Sequence, residues 1–140
     1  MLGFAFKADT GDTRESASIS LIRDFLQERA YVTIYDPKVE EAQIWLDLSE
    51  ALPSWPLETI KKHVSIVHGA LEACTGKEAI VIATEWKEFK EIDWQAVYDG
   101  MSKPAFVFDG RMILDVEKLQ KIGFTVSWFG CGRRGSGRCS

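Results

Sequence analysis

Much that would announce a function is missing from these 140 residues. No apolar run approaches the ~20 residues of a membrane span, and no charged-then-apolar leader marks secretion, so the expectation is neither membrane nor export. Cysteine is scarce: Cys74, Cys131 and Cys139 are odd in number and form no CxxC pair, which argues against a disulfide framework and for a reducing, cytoplasmic setting. His63 and His68 flank one apolar stretch without a cysteine or carboxylate at ligand spacing, so no metal site is expected. No Ser/His/Asp or Cys/His arrangement is recognisable. The glycines of Gly3 and Gly11 do not make GxGxxG, so the dinucleotide fingerprint is absent.

Basic charge is also short. The net charge is −4, and the three arginines of residues 133–138 conceal a body that sums to −7. A body this acidic, without a basic stripe, argues against nucleic acid as a partner. Any anion must be held by local groups rather than by the overall field.

What is present reads as one α/β domain. A chain this long can bury ~68–70% of its unfolded surface, and 46% hydrophobic with 27% charged residues is ordinary for a globular domain. Strand and helix signals alternate. Leu2 to Phe6, Tyr31 to Tyr35, His63 to Val67, Glu78 to Thr84 and Ala105 to Phe108 read as strands, with Phe124, Val126 and Trp128 alternating as an edge strand. Between them, Ile19, Ile22, Phe25 and Leu26 repeat at helical spacing, Val39–Trp45 and Ala70–Cys74 suit short helices, and Asp93 caps a stripe of Trp94, Val97, Tyr98 and Met101. A further short helix is expected over Val116–Ile122, while Pro53, Trp55 and Pro56 read as a surface insertion. Repeated β-α units imply crossovers and a mainly parallel sheet. The fold expected is Rossmann-like and doubly wound, with helices on both faces of a single domain over residues 1–130. Residues 131–140 have no apolar anchor and read as a disordered tail.

Open α/β sheets bind ligands beyond the carboxyl ends of their strands. Lys7 stands there after the first strand, followed by a polar turn in which Asp12 and Glu15 have capping-box spacing. An ammonium beside a helix N-terminus suits phosphate, although a solvated lysine closing a strand would look the same. Arg111 follows Phe106-Val107-Phe108-Asp109-Gly110, with Asp109 placed to orient its guanidinium; alone it would pass for an exposed turn arginine. Two cations on one edge suit a diphosphate. Arg14 opposes the dipole of its own helix, a small penalty that favours a functional role over a surface ion pair. Asp36 sits where a ribose-binding acid could stand. Without the glycine loop, Asp36-Pro37 reads instead as a turn and helix start. Trp86 and Cys74 read as packing residues.

The order of motifs adds a family. Gly3-Phe4-Ala5-Phe6-Lys7 with Asp9-Thr10-Gly11-Asp12-Thr13-Arg14-Glu15-Ser16 resembles the start of the C-terminal domain of the UDP-glucose/GDP-mannose dehydrogenase family, UDP-glucose branch. Ile34-Tyr35-Asp36-Pro37-Lys38, Glu72-Ala73-Cys74, Thr84-Glu85-Trp86 and Lys103 to Arg111 follow in the family's order, over about residues 2 to 130. The resemblance implies a UDP-binding domain of an enzyme that oxidises UDP-glucose to UDP-glucuronate with two NAD. It implies substrate contacts by Phe6, Lys7 and Arg111, and contact by Arg14 with the NAD held mainly by another domain. It also implies a homo-oligomeric whole enzyme. The family's nucleophilic cysteine, its GxGxxG loop and its central helix are not in this sequence. No catalytic residue is therefore assigned, and Met1 is expected to cut into a first strand of a longer protein. A stand-alone UDP-sugar-binding module and an inert fragment are the competing expectations.

Overall fold

The computed structural model describes residues 1–5 and 17–128. Their helices are α1 (Ala17–Gln27), α2 (Glu41–Ala51), α3 (Leu57–His63), α4 (Ala70–Cys74), α5 (Lys87–Lys90), α6 (Trp94–Gly100) and α7 (Val116–Ile122). The strands are β1 (Val32–Ile34), β2 (Val64–Ile66), β3 (Ala79–Ile82), β4 (Phe106–Asp109) and β5 (Thr125–Trp128).

All pairings are parallel. β1 pairs with β2, Val32 opposite Val64, while β3, β4 and β5 form a second ladder with Ala79, Phe106 and Thr125 in one row. The first three residues join the two ladders. Leu2 bridges Tyr35 on one side and Ile82 on the other. Gly3 N donates to Tyr35 O at 2.8 Å, Leu2 N to Val81 O at 2.8 Å and Ala83 N to Leu2 O at 2.9 Å. The spatial order is therefore β2, β1, residues 1–3, β3, β4, β5. Counted along the chain with residues 1–3 first, this is the 3-2-1-4-5-6 order of a doubly wound sheet. Crossovers that run outward from the centre in opposite directions and keep one hand place α1 on one face and α5 to α7 on the other.

The apolar stripes explain which elements form. Ile22 and Leu26 of α1 are buried on the core, as are Ile44 and Leu48 of α2, Val97 of α6 and Leu119 of α7. Asp93 accepts from Ala96 N and Asp115 from Lys118 N, so two helices start on side-chain caps worth about 1 kcal/mol each. Trp94 and Tyr98 meet Phe124 edge-on, seating α6 against the approach to β5.

Three local expectations need correction. α2 runs to Ala51 rather than Trp45, because Ile44 and Leu48 continue the buried stripe until Pro53 ends it. The stretch expected as an insertion is a tight turn into α3, with Trp55 packed against the core and Pro56 at the helix start, a place that needs no N–H donor. His63 closes that helix instead of opening a strand. The short helix α5 carries a buried Phe89 that no periodicity flagged. The stretch with the capping-box spacing and the tail at 131–140 lie outside the described residues.

Candidate functional site at the carboxyl edge of the sheet

Gly3 sets the geometry where the central strand ends. Its φ is +101°, and a Cβ there would lie 2.4–2.7 Å from the side chain and backbone nitrogen of Thr84. Only glycine lets residues 1–5 lie this close to the end of β3. Thr84, fully buried, then donates from Oγ1 to the carbonyl of Ala5 at 2.9 Å. Ala5 is the last described residue before Phe6, Lys7 and Arg14, which lie outside the described residues.

Asp36 ties this end together. Its Oδ2 accepts from Phe4 N at 2.8 Å, Ala5 N at 3.0 Å and the Trp86 indole at 3.1 Å. Its Oδ1 accepts from Lys38 N at 2.8 Å and Val39 N at 3.0 Å, making the turn that leads towards α2. Five donors consume the carboxylate. A ribose hydroxyl would find its lone pairs already taken, and the cradle a pyrophosphate would need at Gly3 is filled by Thr84. The described residues therefore do not fit a dinucleotide held in the Rossmann manner. Trp86 is a packing residue, 8% exposed, as its sequence context indicated.

Arg111 stands on the same edge. Asp109, fully buried at the end of β4, accepts from Arg111 N at 3.1 Å and Leu114 N at 2.8 Å. It thus shapes the loop that carries the arginine. The guanidinium is held from the segment that follows β3: Nε donates to Ala83 O at 3.1 Å and Nη1 lies 3.3 Å from Glu85 Oε2. Gly110 permits the approach, since its added Cβ would meet Ile82 O at 2.9 Å. Arg111 and Glu85 are each about a third exposed. The result is a guanidinium fixed in orientation and still open to solvent, with the Ala5 carbonyl and the Arg111 Nε engaging the consecutive residues Thr84 and Ala83. From the sequence Glu85 stood only within the Thr84-Glu85-Trp86 motif, without a role of its own; in the fold it lies in the segment that follows β3, the strand beside β4.

Other chemistry-bearing groups lie elsewhere. Cys74 is buried in α4, and burial pushes its thiol up to about 11, so it stays protonated at neutral pH and serves as a small core residue. Among the described residues no three His, Cys, Asp or Glu side chains gather as a metal site, and no helix is long and apolar enough to cross a membrane. A cavity of about 450 Å³ opens at the opposite, amino edge, lined by Met1, Phe25, Tyr31, Ala79 and Val81 among others. Thr33, Lys77 and Glu78 line it as well, and it carries none of the groups just described.

An open parallel sheet with an arginine fixed at its carboxyl edge, and with no dinucleotide cradle among the described residues, places the domain in the doubly wound α/β class. The model of the UDP-glucose/GDP-mannose dehydrogenase family, UDP binding domain, matches residues 1–116, and the chain belongs to this family. UDP-glucose 6-dehydrogenase 5 of Oryza sativa subsp. japonica is 49% identical over 134 residues, covering 90% of this chain and 28% of that protein. The UDP-glucose 6-dehydrogenase of Drosophila melanogaster is 48% identical over 130 residues, covering 93% of this chain and 27% of its own. Among solved structures, the UDP-D-ManNAc dehydrogenase of Pyrococcus horikoshii aligns with a TM-score of 0.67 and 26% identity over 92% of this chain and 24% of that one. The chain spans little more than a quarter of the curated relatives it matches.

Proposed function

We propose that this chain is the UDP-holding domain of a UDP-glucose 6-dehydrogenase, the enzyme that oxidises UDP-glucose to UDP-glucuronate with two NAD. The observation that carries the reading is the fixed Arg111 at the carboxyl edge, beside the strand end from which Phe6 and Lys7 follow. In this reading Arg111, Lys7 and Phe6 hold the nucleotide sugar. A guanidinium offers a planar fork and an ammonium a compact charge, which together suit a diphosphate and its flanking sugar oxygens. The domain spans residues 1–130, followed by the 131–140 tail.

The chemistry belongs to the rest of the protein. The family's oxidation runs through a thiolate, and the buried Cys74 is unsuited to that role. NAD is held mainly by the NAD-binding domain, with Arg14 reaching it from this one; the saturated Asp36 supports that division of labour. The partners are accordingly UDP-glucose, the NAD-binding and central domains, and further copies of the whole enzyme. A cytoplasmic setting suits the reduced Cys74.

The test is calorimetric titration of the chain with UDP. A charged hydrogen bond is worth ~1.5–3 kcal/mol, so Lys7→Ala and Arg111→Ala should each weaken binding roughly 10- to 100-fold. Equal affinity in the wild type and both variants would remove the proposed site.

A further inference from the structure

The segment that leaves β3 is fastened along most of its length. Ala83 N donates to Leu2 O at 2.9 Å, Thr84 Oγ1 to Ala5 O at 2.9 Å and the Trp86 indole to Asp36 Oδ2 at 3.1 Å. Glu88 Oε2 accepts from the Tyr35 hydroxyl at 2.6 Å, and the buried Phe89 meets the Tyr35 ring edge-on. These bonds tie residues 83–89 to the first strand end and to the end of β1. Thr84 and Trp86, the neighbours of Glu85, are both buried, so the backbone beneath Glu85 is held on either side. From that fixed base its carboxylate reaches Arg111 Nη1 at 3.3 Å, while the Ala83 carbonyl of the same segment takes Nε at 3.1 Å. Asp109 anchors the arginine's own loop through the backbone N–H groups of Arg111 and Leu114.

We propose that Glu85 is a positioning residue for the nucleotide sugar: it acts through Arg111, holding the guanidinium plane in the orientation in which it meets the ligand. This role rests on the carboxyl edge being the nucleotide-sugar site. An arginine side chain has many rotamers, and a ligand that must immobilise one binds more weakly than a ligand that finds it already held. On the turn after Gly110, the Ala83 carbonyl fixes one nitrogen of Arg111. A plane is set by a further point, which Glu85 supplies. Charge alone argues the other way. A carboxylate 3.3 Å from the guanidinium opposes any anion that Arg111 receives, so Glu85 favours binding through geometry and not through attraction. Both side chains are about a third exposed, which leaves the pair within reach of a ligand. The two effects have opposite sign and separate on substitution. Alanine removes the orientation together with the opposing charge, whereas glutamine keeps an acceptor oxygen at the same reach and removes the charge alone.

The test uses the 140-residue chain and two readouts. The first needs no ligand: nitrogen relaxation NMR of the Arg111 Nε–H, assigned by its disappearance in Arg111→Ala. A held group should show an order parameter near about 0.85, which Glu85→Ala should lower below about 0.6 and Glu85→Gln should restore. The second is calorimetric titration with UDP. Glu85→Ala should weaken binding roughly three- to tenfold when Arg111 is present, and should not weaken it in the Arg111→Ala background. Glu85→Gln should bind UDP at least as tightly as the wild type. An unchanged order parameter in Glu85→Ala, equal weakening in both backgrounds, or a glutamine variant that binds as poorly as the alanine variant would each overturn the role of Glu85 and leave UDP binding standing. If the wild type binds no UDP while the Nε–H order still depends on Glu85, the nucleotide-sugar site falls and Glu85 remains the residue that orients Arg111.

Discussion

At its carboxyl edge the sheet buries Thr84 and Asp109 with their polar atoms engaged, whereas at its amino edge Met1 places a buried amine beside a cavity of about 450 Å³. The contrast separates two tasks. Hydrogen bonds at the first edge hold backbones at fixed distances, which is what an oriented Arg111 needs. The second edge leaves open surface around Met1, Phe25, Tyr31, Ala79 and Val81.

The carboxyl edge should break most sharply at Gly3. Gly3→Ala places a methyl 2.4–2.7 Å from Thr84 atoms, including its backbone nitrogen, at a φ that side chains rarely adopt. Neither rotamer change nor a small loop shift removes both problems. We expect a loss of about 4 kcal/mol or more, enough to unfold most of the population of a domain this size. Circular dichroism of the purified variant checks this, and a native-like melt would show that the strand can retreat from Thr84.

Asp36 should come next. Asp36→Ala strips the acceptor from five N–H groups, of which those of Lys38 and Val39 can turn to water most readily. Unsatisfied part-buried donors at Phe4, Ala5 and Trp86 should cost about 3 kcal/mol in a urea unfolding series. A loss below about 1 kcal/mol would mean that the strand end is held chiefly by packing.

Asp36 also shows what sequence can and cannot convey. Its place after an apolar strand made it visible, and the missing glycine loop correctly turned the expectation from ribose to turn. The identity of its five donors was not legible, because Phe4, Ala5 and Trp86 reach it from 32, 31 and 50 residues away. The same limit applies to Arg111. The turn residues Asp109 and Gly110 announced it, but its acceptors at Ala83 and Glu85 belong to the segment after β3, more than twenty-five residues away. Elements with strong local signals were read well: α7 spans Val116–Ile122 as expected, and Asp93 caps α6. α3 and α5 were not, since a single buried residue in each, Ile60 and Phe89, makes no period. The exposure of Phe106 and Phe108 was not legible either, since only the assembled sheet reveals that one face is open over the half formed by β3 to β5 among the described residues.

The amino edge should respond least, and to pH. Met1 as a residue is only partly buried, yet its amine lies between strands and donates to Thr33 O at 2.6 Å. Burial pushes the amine down from 8.0 to about 6, with the distant charge of Lys77 a smaller contribution in the same direction. A depressed amine means that the unfolded chain binds more protons than the folded one between these values. Stability is then greatest above pH 8, falls as pH drops, and levels off below about 6, a total change of about 3 kcal/mol for a shift of this size. The comparison that isolates this amine is the chain against a version extended by two residues ahead of Met1, whose amide can still donate to Thr33 without carrying charge. Histidine titration is common to both and cancels in the difference. Urea midpoints at pH 6 and 8 should diverge in the chain and converge in the extended version, and equal slopes in the two would show that the buried amine is not what the amino edge tolerates poorly.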